Sequence, residues 1–94
     1  MQAEKTRAER MEQVLRREFA PDILDIEDDS AKHAGHGGAD PGGETHFNVR
    51  MVAARFEGLG RLMRSRAVHA ALADEFARGL HALSLTLRSP GEHI

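Results

Sequence analysis

Apolar positions along the chain switch between two periods. From Glu4 to Phe19 the residues Met11, Val14, Leu15 and Phe19 recur at i, i+3, i+4 and i+8, which is one stripe of a helix, and Pro21 stops it. Ile23 to Asp28 then reads as a strand with Leu24 and Ile26 on one face, and Glu27-Asp28-Asp29-Ser30 marks its exit. Thr45 to Ala53 alternates strictly: Thr45, Phe47, Val49, Met51 and Ala53 face one way, and His46, Asn48, Arg50 and Val52 the other. Glu57-Gly58-Leu59-Gly60 predicts a turn, followed by a short helical piece through Met63 and a longer helix from about Arg66 to Arg78. That helix buries Val68, Ala71, Leu72 and Phe76, and Gly79 suits the position just past its end. A last strand, Leu80 to Leu87, points Leu83, Leu85 and Leu87 inward, and Ser89-Pro90-Gly91 ends the order.

The succession is α-β-β-α-α-β, which predicts an α+β domain: a three-stranded mixed sheet with the helices on one face. The first two strands read as a hairpin with an extended tip. That tip, residues 31–43, holds five glycines and a proline, too many for helix or strand. It is expected to be a flexible Gly/His loop, and residues 89–94 a tail, within a single domain spanning 1–94.

Composition narrows the chemistry. Ninety-four residues hold one core, and the absence of cysteine removes disulfides, thiol nucleophiles and cysteine-only metal sites. The charged N-terminal residues lack a signal-peptide core, and no apolar run is long enough for a bilayer, so a cytoplasmic protein without membrane contact is expected. Net charge is −2 but uneven. Residues 1–30 carry five basic and nine acidic groups, and residues 31–94 eight and six. Arg50, Arg61, Arg64 and Arg66 form a candidate anion-binding patch, although a solvated face is the commoner outcome of such a run.

None of the four serines sits in a nucleophile motif, and no glycine-rich phosphate loop follows a strand, so an enzyme is not expected. Six histidines are the unusual feature: His33 and His36 in the loop, His46 on the second strand, His69 on the long helix, His81 at the third strand and His93 in the tail. Imidazole suits iron, zinc and copper, but a single histidine is more often a solvated or half-buried ring than a ligand. His33-x-x-His36 on flexible backbone is the better pair, because neighbouring donors there can converge on a metal such as zinc or nickel.

The strings Asp28-Asp29-Ser30, Gly43-Glu44-Thr45-His46-Phe47, Arg55-Phe56-Glu57-Gly58-Leu59, Leu72-Ala73-Asp74-Glu75-Phe76 and His81-Ala82-Leu83 occur in an order and spacing that resembles the BolA family. The loop with His33 is similar to the histidine-bearing version of that family's variable loop. Two departures stand out. Arg64-Ser65-Arg66 replaces the usual Arg-His-Arg, and the family's C-terminal helix is expected to be cut short after Pro90.

The resemblance implies a fold similar to the type II KH domain, although the Gly-x-x-Gly clamp of RNA-binding KH domains is missing from Gly58-Leu59-Gly60. It also implies a monothiol glutaredoxin partner and a two-iron two-sulfur (2Fe-2S) cluster shared with that partner and with glutathione. His81 maps onto the family's invariant-type histidine and His33 onto its loop histidine, with His36 as the rival. His46 and His69 are expected to play no part. A second function implied by the resemblance is that of a DNA-binding transcriptional regulator, using Arg50, Arg61, Arg64 and Arg66. A homodimer of the cluster-free chain is a further expectation left open.

Overall fold

A computed structural model describes residues 5–29 and 45–92. His33, His36, His93 and the predicted flexibility of 31–43 lie outside the described residues. The first helix, α1 (Arg7–Phe19), opens on a capping box. Thr6 Oγ1 accepts from the Glu9 N–H at 3.2 Å, and the Glu9 carboxylate accepts from the Thr6 N–H at 2.8 Å. It closes on Ala20 in the left-handed region (φ 44°), directly before Pro21. Met11, Leu15 and Phe19 form its buried stripe.

Strand β1 (Ile23–Asp28) runs antiparallel to β2 (His46–Val52), from Ile23 opposite Val52 to Asp28 opposite Phe47. Strand β3 (Ala82–Arg88) lies on the other side of β2 and parallel to it, from His46 opposite Ala82 to Val52 opposite Arg88. The order β1-β2-β3 makes this the expected mixed sheet. Parallel neighbours need a crossover rather than a tight turn. That crossover carries a 3-10 turn (Ala54–Phe56), α2 (Arg61–Ala71) and α3 (Ala73–Ala77).

Phe47, Val49 and Met51 of the central strand pack against Met11 and Leu15 of α1, Val68 of α2 and Leu72, all within 1% of full burial. Leu24, Ile26, Phe76, Leu83 and Leu85 sit partly buried on the margin of this single core. Asn48 is exposed and His46 and Arg50 half-buried, so the helices cover one sheet face only.

Four local expectations change. Instead of a short piece to Met63 and a helix from Arg66, one helix runs unbroken from Arg61, and the break falls at Leu72. Nothing in Arg64-Ser65-Arg66 breaks a helix, whereas the kink at Leu72 keeps that side chain 1% exposed and turns Glu75 toward α1. Val52 is buried rather than outward, because alternation ends where the chain leaves the sheet and the Asp22 N–H crosses to its carbonyl at 2.8 Å. Leu80 precedes β3 and is buried as part of the turn after α3. Residues 89–92 are folded rather than trailing: the Glu92 N–H donates to Ser89 O at 3.0 Å, and Ser89 is buried.

The turn after α3 explains Gly79. The Leu80 N–H donates to Glu75 O at 2.9 Å and the Gly79 N–H to Phe76 O at 3.3 Å, the paired bonds of a Schellman close. This geometry puts Gly79 at φ +119°, open to glycine and strained for other residues.

Candidate functional site

Because β2 and β3 are parallel, both strands begin at the same edge of the sheet, and both begin with a histidine nearby. His46 is the first residue of β2, and His81 immediately precedes β3. The Thr45 carbonyl accepts from the N–H groups of both His81 (2.8 Å) and Ala82 (3.1 Å), fixing the entry to β3. The Thr45 hydroxyl lies 3.0 Å from His46 Nδ1, and the Asp29 N–H donates to His46 O at 2.8 Å. The two imidazoles stand edge to face with centroids 6.0 Å apart. His81 is exposed and His46 half-buried.

Strand alternation alone places His46 and His81 on opposite faces. At the rim this fails, since His81 lies outside the ladder and its ring is not bound by the pleat. His69 stacks on Phe76 at 5.1 Å instead. Among the described residues no group of three or more His, Cys, Asp or Glu could hold a metal.

The four arginines do not form one surface. Arg50 points from the uncovered sheet face and pairs with Asp25 of β1 at 3.0 Å. Arg64 is enclosed: it donates to Leu59 O at 2.8 Å, to Leu87 O at 3.2 Å and to the Glu92 carboxylate at 2.6 Å, and its guanidinium lies over Phe56. Arg61 and Arg66 are exposed on α2. The grouping rested on nearness in sequence, and the turn of the helix and the two sides of the sheet separate it. An open groove of about 840 Å³ runs between α2 and β3, walled by Arg61, Arg64 and His69 on one side and Leu83, Leu85 and Leu87 on the other.

Sequence reasoning missed two carboxylates. Glu75 is only 5% exposed and accepts from Arg7 and Arg10 of α1. Hydrogen bonding from Arg10 holds its carboxyl below the usual range, against the opposing effect of burial. Glu92 is pulled down to about 2, first by the Arg64 hydrogen bond and then by the Ser89 N–H. A charged residue on the core side of a helical stripe is the signal that could have found Glu75.

The pattern described as "BolA-like protein" matches residues 15–92. The chain belongs to the BolA-like family. It is 46% identical over 88 residues to Protein BOLA1, chloroplastic, of Arabidopsis thaliana, covering 92% of this chain and 55% of that one. It is 44% identical over 78 residues to BolA-like protein 1 of Homo sapiens, covering 83% of this chain and 54% of that one. The chain thus spans about half the length of these BolA-like relatives. The solved structure of BolA1 from Arabidopsis thaliana superposes with a TM-score of 0.85 at 42% identity, over 97% of this chain and all of that one. This bears out the α+β mixed sheet. Among the described residues, no helix of this BolA-like chain is long and apolar enough to cross a membrane.

Proposed function

We propose that the chain is a non-enzymatic adaptor that shares a 2Fe-2S cluster with a monothiol glutaredoxin and glutathione, in cluster trafficking or iron sensing. The observation that carries this is His81. It is exposed at the sheet rim, and its backbone N–H is anchored to Thr45 O at 2.8 Å, so the imidazole is presented to a partner from a fixed point of the backbone. The donor chemistry agrees. The chain has no thiolate to give, so any such cluster takes its thiolates from elsewhere and imidazole from here. Imidazole in place of thiolate makes a cluster less negative and raises its potential, and ligation requires the neutral ring. His33 is the second donor in this reading, with His36 as its rival. A cytoplasmic setting belongs to the proposal, since one relative is named chloroplastic and family membership does not set the compartment.

Reconstitution with glutaredoxin, glutathione, iron and sulfide tests it. His81→Ala is expected to abolish the mixed complex's visible circular dichroism and shorten the cluster's lifetime, and His33→Ala to do more harm than His36→Ala. A wild-type spectrum and lifetime in His81→Ala overturns the assignment.

DNA binding is the second reading, resting on two cations exposed on α2, Arg66 and Arg61, the latter on the wall of the α2–β3 groove. Such contacts would go to phosphate and weaken steeply with salt.

A further inference from the structure

The ligand set that the resemblance implies leaves His46 without a part, yet the fold brings it beside His81. His46 and His81 are 35 positions apart in sequence, yet their rings are neighbours at 6.0 Å. Two imidazoles bound to one ion at about 2.0–2.1 Å have centroids about 5 Å apart, so a small turn of the side chains brings both onto one metal. We infer that His46 and His81 form a two-imidazole site for a single divalent late first-row transition metal ion, of the Zn²⁺ kind, on this chain alone.

Thr45 builds the site. Its carbonyl holds the His81 backbone, and its hydroxyl, on a residue 5% exposed, lies 3.0 Å from His46 Nδ1. A hydroxyl oxygen accepts as well as donates. With Nδ1–H donating to Thr45 Oγ1, His46 Nε2 carries the lone pair. This is the usual arrangement of a ligating histidine, whose second nitrogen is fixed by a hydrogen bond. Two neutral nitrogens select zinc, copper or nickel over magnesium or calcium, which prefer oxygen. Among the described residues there is no third side-chain donor for the ion. Since His81 is also the donor of the adaptor reading, an ion held here withholds that imidazole from the shared cluster. This competition rests on the adaptor reading, whereas the site itself does not.

The test is a Zn²⁺ titration of the isolated full chain, followed by nitrogen–proton correlation spectra of the imidazole rings, with Mg²⁺ as control. The His46 and His81 rings are expected to shift together in one step that saturates at one ion per chain, while His69 stays in place and Mg²⁺ does nothing. Thr45→Val, which keeps the branched shape and removes the hydroxyl, is expected to weaken binding about tenfold. A double His33→Ala/His36→Ala variant is expected to bind as wild type. A His46 ring that does not follow His81, or loss of binding in the double variant, overturns the site. Preloading with Zn²⁺ should then lower the yield of cluster-bearing complex with glutaredoxin, and an unchanged yield overturns the competition. If the metal-free wild-type chain never assembles a shared cluster, the adaptor reading and the competition fall together, and the ring titration alone decides the site.

Discussion

The guanidinium of Arg10 grips both carboxylate oxygens of Glu75, Nε to Oε2 and Nη2 to Oε1, each at 2.8 Å. Arg7 Nε adds a third bond to Oε1 at 3.1 Å, and Arg7 Nη2 reaches Arg78 O at 2.9 Å. The first helix is thereby bound to the short helix at the far end of the crossover. The carboxylate is nearly dry, so its charge is stabilised by two cations that packing already holds in place.

Glu75→Ala removes the anion and leaves two guanidinium groups facing each other. Breaking a buried pair costs about 3–5 kcal/mol, and partial exposure of Arg10 lowers the expectation to about 2 kcal/mol. For a domain of this size that is a drop in Tm of roughly 8–16 °C. Thermal melts by circular dichroism check it, and an unmoved Tm contradicts the account.

Acid should weaken the fold through the same kind of group. Glu75 and Glu92 bind protons less tightly folded than unfolded, so their contribution is complete above the ordinary 4.5. It is lost as pH falls through the folded value, which for Glu92 means from 4.5 down to about 2. Urea midpoints should decline across that interval, and Glu92→Gln should flatten the decline. A wild-type slope in Glu92→Gln contradicts the assignment.

Arg64 and Arg66 should part company on substitution. Arg64→Ala strips four hydrogen bonds, two to backbone carbonyls and two to the Glu92 carboxylate, from a side chain 12% exposed and is expected to cost about 1–3 kcal/mol of stability. Arg66→Ala should leave Tm unchanged and, under the DNA reading, weaken phosphate binding and reduce its salt slope. Binding isotherms at several salt concentrations, beside melts of both variants, separate the effects. Equal stability in the two variants would mean that Arg64 is not a structural clasp.

Gly79→Ala should destabilise by about 1 kcal/mol or more, since φ +119° is strained for alanine. An added Cβ would stand 3.5 Å from Arg7 Nη2, an ordinary contact, so the cost is conformational. A lower denaturant midpoint with an unchanged slope is the expected signature.

Where period decides structure, the sequence is a good guide. Met11, Leu15 and Phe19 declare a helix, and Phe47, Val49 and Met51 a half-buried strand, because burial and local geometry repeat together. The break at Leu72 is not declared, since a kink driven by packing needs no glycine or proline. The rim is harder still. Whether His46 and His81 meet depends on which strand lies beside β2 and in which direction, and neither is a local property of Thr45-His46 or His81-Ala82. Arg64 shows the converse error: its charge was legible, but its enclosure by Leu59, Leu87 and Glu92 required the fold.

The parallel pairing of β2 and β3 also sets an order of events during synthesis. Strand β2 leaves the ribosome with one edge matched by β1, and the other must wait for the whole crossover and then for β3. Until then, a strand carrying Phe47, Val49 and Met51 presents an unpaired edge, the kind that recruits other chains. The imidazole pair cannot exist before that edge is closed. Metal capture at the rim would therefore mark a closed sheet, and a chain still waiting for β3 would pass unloaded.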